Sequence, residues 1–429
     1  MKSTITCDME GVIETMNQDA EKIFGYNKEE LVGKKRVSIF SPGEIVLQNV
    51  ANWLDTAVKD GEYIGETIFV NKKGENINAK IRITPTFKNG KNNPQTGYCG
   101  VTELIDKNVN VHIKSTTKLI KWLAITRMPF TSVSILPIFL TAAYFAFYGD
   151  NLFNSYNLLL CVFAIFFAHL SINVFNDYFD NKDGTDEANT QYFQQLSGGS
   201  RAIELGLINI KNTKILAYVL CGIAIGLGVL LFFNLTSSNL FGAFAVAKAG
   251  FFLGYYYTAR PLRLVARRGL GELSIFLAFG PLLTIGTGFA IFNGDFLNFS
   301  NPYFLHCLLL GIPLGLLTTN ILLINQFPDS LSDAKTGKNH LVVTFGKKKS
   351  RWIYVAIFIG FMVSAVIFSL YIQNLYSLIA VLFSIFFGVS IISKIFRNYN
   401  KRSLINSNWA TIYLHSLYCI TLLIILLIN

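Results

Sequence analysis

Asn173-Val-Phe-Asn176-Asp177-Tyr-Phe-Asp180-Asn-Lys-Asp183-Gly184-Thr-Asp186 closes an apolar run that begins near residue 155. A second stretch, Asn325-Gln-Phe-Pro-Asp329-Ser-Leu-Ser-Asp333-Ala-Lys335-Thr-Gly337-Lys338, closes another run that begins near 303. From Lys107 onward the chain holds eleven acidic residues, and six of them stand in these two stretches. Ionisable groups at the ends of long apolar helices are costly to keep, so carboxylates concentrated there imply work for them.

Working outward, nine apolar segments fill the sequence beyond residue 120, at approximately 122–148, 155–176, 215–233, 239–257, 271–292, 303–326, 352–372, 375–393 and 409–428. Most approach the roughly 20 residues that a helix needs to span hydrocarbon. Lipid admits only helices or closed barrels, and these runs are too long for barrel strands, so the class is an all-α polytopic membrane protein. The connections after the second, fourth, sixth and eighth segments hold Lys and Arg, and those after the first, third, fifth and seventh hold none. By the positive-inside rule the N-terminus and both aspartate stretches lie in the cytoplasm and the C-terminus lies outside. The expected location is the cytoplasmic (inner) membrane.

The first 106 residues are chemically different. They carry 13 Lys/Arg against 15 Asp/Glu, whereas the rest carries 24 against 11, and this split accounts for the net charge of +11. The positive charge sits in short loops at segment ends, so no nucleic-acid partner is expected. No basic-then-apolar leader opens the sequence, so no cleavable signal peptide is expected. The six cysteines lack ligand spacing and read as buried or incidental thiols. Glu66-Thr-Ile-Phe-Val-Asn-Lys-Lys-Gly74-Glu-Asn-Ile-Asn-Ala-Lys-Ile-Arg-Ile-Thr reads as a hairpin about a Lys-Lys-Gly turn. The organisation is therefore a small α+β domain at 1–106, a linker at 107–120 and a membrane domain at 121–429.

On a helix Asn173, Asp177 and Asp180 stand at i, i+4 and i+7 and share a face. Asn325, Asp329 and Asp333 share a broader one, unless Pro328 breaks or kinks the helix. Carboxylate and amide oxygens without His or Cys suit Mg²⁺, which completes its shell with substrate phosphates. Arg260, Lys335 and Lys338 stand close by in sequence and can hold phosphate oxygens. Together these residues describe a diphosphate clamp. A cation-coupled transporter also keeps Asp in membrane helices, although nearer the midplane. Arg127 can reach the site but reads rather as an interfacial anchor, His169 reads as a core or hydrogen-bonded residue rather than a metal ligand, and Lys248 reads equally as a functional residue or as one that snorkels or pairs with an Asp.

Asn176-Asp177-Tyr-Phe-Asp180-x₂-Asp183-Gly184-x-Asp186, Asn325-x₃-Asp329-x₃-Asp333-x₃-Gly337-Lys338, Tyr256-Tyr-Thr-Ala-Arg260-Pro and Arg267-Arg-Gly-Leu-Gly271-Glu272 resemble the motifs of the UbiA superfamily of intramembrane prenyltransferases, closest to its 1,4-dihydroxy-2-naphthoate branch. The resemblance implies nine helices and polyprenyl transfer from a polyprenyl diphosphate to an aromatic acceptor in menaquinone synthesis. It implies Asp177, Asp180, Asp329 and Asp333 as catalytic Mg²⁺ ligands, with Arg260 neutralising the leaving group. Asn173, Asn176, Asp186, Tyr256, Asn325 and Lys338 would bind substrate. A terpene cyclase of the same fold is the alternative. Two departures concern the acceptor: His340 stands in place of a usual Thr, and Ser197-Gly-Gly-Ser-Arg201 is not the usual loop.

Asp8-Met-Glu-Gly11-Val-Ile-Glu-Thr-Met-Asn17, Ala20-Glu-Lys-Ile-Phe-Gly25-Tyr and the closing Gly97-Tyr-Cys-Gly-Val-Thr-Glu-Leu-Ile-Asp106 resemble the PAS sensor family. That resemblance implies a small ligand or a protein partner for the N-terminal domain.

Overall fold

The structure, a computed structural model, describes every residue except 91, 149–152, 190–195, 197–198, 299, 301 and 429. The chain forms two compact units. One comprises Met1–Ile125, Asp186–Thr190 and Ser200–Ile210, and the other Thr126–Thr185, Gln191–Gly199 and Lys211–Asn429.

In the N-terminal unit five strands, β1 (Lys2–Asp8), β2 (Ile13–Met16), β3 (Tyr63–Val70), β4 (Asn76–Thr86) and β5 (Gly97–Leu104), pair antiparallel in the order β2-β1-β5-β4-β3. Strand periodicity explains the inward face: Ser3, Ile5 and Cys7 of β1 are buried while their neighbours are not. The expected hairpin is β3–β4, which runs from Tyr63↔Ile83 to Val70↔Asn76. Its turn uses Gly74 at φ +81°, a conformation that costs a Cβ-bearing residue free energy. The helix Gln18–Phe24 starts where the Asn17 side chain accepts from the Ala20 amide, and stops at Gly25 with φ +73°. Phe24, Phe40, Trp53, Phe69, Ile81 and Ile83 form the core under the sheet.

The 107–120 stretch is held against this domain. Val111 and Ile113 pack on its core, and Gln48 donates to His112 O and accepts from the Lys114 amide and the Thr117 hydroxyl. A helix, Ser115–Thr126, then begins. The unit also takes in two later segments. Gly43 lies so close to Leu205 O and the Leu207 side chain that a Cβ would collide with both. Arg201, 2 % exposed, donates to Asp186 at 3.3 Å and to Asn189 O at 3.2 Å, and pairs with Glu204, which Lys35 approaches to 3.7 Å.

In the other unit, eight helices among the described residues are long and apolar enough to cross a membrane. The remaining expected segment, 239–257, forms the helix Ser237–Thr258 but is diluted by Ser, Asn, Lys248 and three Tyr. Each of the nine segments read from the sequence is thus helical among the described residues, and eight of them are long and apolar enough to cross a membrane. Segment one begins later than expected, because Arg127 takes φ +51° and interrupts the helix before Met128–Tyr148. Segment five is two helices, Leu270–Phe279 and Pro281–Ile291, broken at Gly280. Gly280 lies against Gly311 O and Gly315 Cα, an approach that only small residues allow.

Both motif helices outlast their apolar runs. The first is Ser155–Lys182 and the second Tyr303–Lys335. Pro328 neither breaks nor ends the second helix, contrary to the risk read from the sequence. A proline at 328 cannot donate to the carbonyl of residue 324. The side-chain amide of Asn408, from the last helix Ile405–Ile428, donates to Ile324 O at 3.2 Å instead. The lost helix bond is thereby replaced, as buried backbone in a membrane protein requires.

Candidate functional site

Helical continuation places Asp177 and Asp180 one turn apart near the end of the first motif helix, and Asp329 and Asp333 likewise on the second. Asp177, Asp329 and Asp333 are 4 %, 7 % and 6 % exposed, far below what an unpaired aspartate tolerates. Contacts across the motifs join them. Lys338, just after the second motif helix, donates to Asp180 Oδ2 at 2.8 Å. Arg263 spans both ends: its Nη1 donates to Thr336 O at 3.1 Å, its Nη2 to Thr185 Oγ1 at 3.2 Å, and its Nε pairs with Asp183 at 3.2 Å. Arg127 interacts electrostatically with Asp177, Asp329 and Asp180, and its guanidinium lies 4.7 Å from the centre of the Phe130 ring. Arg127 is therefore part of the carboxylate cluster rather than an interfacial anchor.

The loop after the first motif approaches the same carboxylates. Gly199, at φ +71°, lies so near Asp177 that a Cβ would run into Oδ1. Residues 197–198 of the Ser197–Arg201 stretch lie outside the described residues.

The other expected site residues divide by position. Arg260 is an exposed side chain that donates to Asp183 at 3.2 Å. It lines an open groove of about 510 Å³ with Arg263, Arg267, Gly337 and Asn339. The asparagines hold helices together: Asn173 donates to Thr126 O at 3.1 Å, Asn176 Oδ1 accepts from Thr258 at 2.7 Å, and Asn325 Oδ1 accepts from Asn408 at 2.7 Å. Asp186 is bonded to Arg201 within the N-terminal unit. The Tyr256 ring rests on Phe252 with centroids 5.0 Å apart.

Several residues at the site were not assigned a role from sequence. His340 Nδ1 accepts from the Val343 amide, so Nε2 carries the proton and donates to Asp333 Oδ2 at 3.0 Å. Tyr257, next to the expected Tyr256, is the buried tyrosine on which the charges of Glu272, Asp180 and Asp333 act. Glu272 accepts from Gln326 and from the Leu341 amide, each at 3.0 Å. The available signals were helical phase for Tyr257, which a Tyr-x₃-Arg match overrode, and the substitution of Thr by His at 340. Lys248 is exposed on its helix, and His169 bonds Ser134 in the core at 2.6 Å, as expected for a structural histidine.

Among the described residues, no three His, Cys, Asp or Glu side chains converge closely enough to hold a metal as they stand. The donor set nonetheless fits a hard divalent cation. Asp177, Asp329 and Asp333 are buried and Asp180 partly so; Arg127 acts on Asp177, Asp329 and Asp180, Lys338 bonds Asp180, and Arg260 and Arg263 are engaged by Asp183. Carboxylate oxygens gathered from two helix ends, with no His or Cys required, are the hard donors that Mg²⁺ takes.

The family model described as the UbiA prenyltransferase family matches residues 135–423, and a PAS domain model matches residues 2–102. The chain is 28 % identical over 239 residues to a 1,4-dihydroxy-2-naphthoate octaprenyltransferase of Haemophilus influenzae, covering 54 % of this chain and 72 % of that protein. It is 26 % identical over 234 residues to the enzyme of that name from Bacillus subtilis, covering 54 % and 68 %. A UbiA homologue from Archaeoglobus fulgidus, solved bound to DMAPP and Mg²⁺, shares the fold with a TM-score of 0.51 at 12 % identity, covering 72 % of this chain and all of that one.

Proposed function

The chain belongs to the UbiA prenyltransferase family, and on that premise we propose that it transfers a polyprenyl group from a polyprenyl diphosphate to 1,4-dihydroxy-2-naphthoate, the step that attaches the tail of menaquinone. The observation that carries this reading is the joining of the two aspartate motifs, through Lys338 on Asp180 and Arg263 across both helix ends, beside an arginine-lined groove. The naphthoate acceptor is supported by the names of the relatives in Haemophilus influenzae and Bacillus subtilis. Magnesium is supported by the donor set and by the ligands of the Archaeoglobus fulgidus homologue.

Asp177, Asp180, Asp329 and Asp333 are the residues that would hold Mg²⁺. When bound, the ion supplies neutralisation of a diphosphate leaving group. The chain's own cations act in the same sense. Lys338 and Arg127 are already inside the cluster, so charge that develops on the leaving oxygen meets donors already in place. Arg260, Arg263 and Arg267 make the groove basic, which favours approach of a diphosphate. The allylic cation left behind is stabilised by aromatic faces, and the rings beside the first motif include Tyr178, Phe179 and Tyr255. The polyprenyl tail lies among apolar helices. The protein sits in the cytoplasmic membrane with both motifs facing the cytoplasm and the C-terminus outside, a placement supported by the loop charges.

Mass spectrometry of products from membranes given Mg²⁺, a polyprenyl diphosphate and the naphthoate tests this. The expected product is the prenylated, decarboxylated naphthalenediol. A cyclised hydrocarbon made equally well without acceptor would instead identify a terpene cyclase.

A further inference from the structure

Three buried polar atoms of the membrane unit, Glu272 Oε2, Gln326 Oε1 and Tyr257 Oη, have no hydrogen-bond partner among the described residues; Glu272 and Gln326 are in direct contact, and the charge of Glu272 acts on Tyr257. Their residues are 4 %, 5 % and 8 % exposed. Gln326 Nε2 donates to Glu272 Oε1 at 3.0 Å. A carboxylate oxygen has no proton to give, so the amide nitrogen must face it and the amide oxygen is turned elsewhere. The charges of Glu272, Asp180 and Asp333 all act on the Tyr257 hydroxyl. Three different helices supply the group at the motif-bearing end. Tyr257 is the penultimate residue of Ser237–Thr258, Glu272 lies in the first turn of Leu270–Phe279, and Gln326 precedes Asp329 by three residues.

A buried polar atom left unbonded costs about 1–3 kcal/mol, more when charged, so three in one patch are expensive for an inert core. Their chemistry also specifies what would satisfy them. The Glu272 and Gln326 oxygens can only accept, and Tyr257 can accept or donate. The occupant must therefore bring donors, and it must be flat and apolar elsewhere to fit between helices. Aromatic hydroxyl groups meet both conditions.

We infer that Glu272, Gln326 and Tyr257 form the seat for the hydroxyl groups of the aromatic acceptor, with Glu272 Oε2 receiving a phenolic proton as the new carbon–carbon bond forms. This rests on the prenyl-transfer reading above. As the O–H bond breaks, its electron pair becomes the second bond of a ring carbonyl. A ring π pair meanwhile bonds to the allylic carbon released from diphosphate. The proton stays on Glu272 until CO₂ leaves the alkylated ring carbon. The electron pair of that broken bond restores the ring, and the resulting phenolate oxygen takes the proton back.

The test uses the full-length protein in membranes, with the dihydroxynaphthoate and its O-methyl ethers as paired acceptors. The parent should prefer the free hydroxyls by about tenfold to a hundredfold in kcat/KM, the range set by one hydrogen bond to a charged acceptor. Glu272→Gln keeps Oε1, and with it the bonds to Gln326 and Leu341, but turns Oε2 into a donor. It should lower acceptor kcat/KM by about a hundredfold while changing the affinity for prenyl diphosphate by less than about twofold. Tyr257→Phe, which removes one oxygen, should raise the acceptor KM severalfold. Parental kcat/KM in both variants would overturn the seat, as would equal use of free and methylated acceptors by the parent. The comparison of acceptors in the parent holds even if a variant does not fold. A parent that prenylates no hydroxylated aromatic at all would refute the underlying transferase reading instead.

Discussion

Asn408 carries a prediction that follows from one proline. Its amide donates to Ile324 O at 3.2 Å, the carbonyl that Pro328 cannot reach, and to Asn325 Oδ1 at 2.7 Å. Asn408 itself is fully buried. Asn408→Leu keeps the volume and removes both donations, one to the buried Ile324 carbonyl and one to the part-buried Asn325 side chain. An orphaned buried acceptor costs about 1–3 kcal/mol and the part-buried one less, so the expected destabilisation is roughly 1–4 kcal/mol. The strain falls one turn before Asp329, so turnover should drop with stability. Thermal unfolding in detergent and diphosphate release give the two readouts. The decisive comparison adds Pro328→Ala, which restores a backbone donor to Ile324 O. In that background the cost of Asn408→Leu should shrink by about 1–2 kcal/mol, a coupling that a double-mutant cycle resolves. Equal costs with and without Pro328 would refute the idea that Asn408 replaces the missing helix bond.

Three further outcomes are expected. Gly199→Ala places a Cβ against Asp177 Oδ1 at a φ of +71°, so it should cut prenyl transfer while the protein still inserts normally, checked by activity per inserted protein. Lys338→Met leaves Asp180 without its 2.8 Å partner and removes a cation from the leaving-group region, and should slow diphosphate release on the order of 10²-fold, with Lys338→Arg recovering part of it. Arg201→Met removes the buried cation that pairs with Asp186 and Glu204 and should destabilise the N-terminal unit by about 1–3 kcal/mol, read by limited proteolysis.

Much of this was legible in the sequence, for physical reasons. Apolar runs with alternating loop charge reveal helices directly, because lipid leaves no other way to satisfy the backbone. The β3–β4 hairpin was legible because Gly74 marks its turn and β-rich runs flank it. The motif aspartates were legible because carboxylates against lipid stand out. What stayed hidden depends on contacts far apart in sequence. The continuity of the helix through Pro328 depends on Asn408, 80 positions later in the numbering of the chain. Arg127 looked like an anchor because its position at the start of an apolar run suggests the interface, yet the backbone turn there directs it to Asp177 and Asp329. Tyr257 lost to Tyr256 in a pattern match because one residue of helical phase decides which ring faces the carboxylates. The expectation of an N-terminal domain at 1–106 rested on composition, the hairpin pattern and the PAS resemblance. It did not anticipate that Asp186–Thr190 and Ser200–Ile210 fold with that domain.

The central claim is that the two aspartate motifs act together as one diphosphate clamp. The most direct measurement is Mg²⁺-dependent diphosphate release by the parent, Asp177→Asn and Asp329→Asn, each quantified as inserted protein. Both variants should insert normally and both should lose release at every Mg²⁺ concentration, because each substitution removes an anionic ligand from a different helix. Near-parental release by either one would show that its motif is not part of the clamp, and the account would fail there.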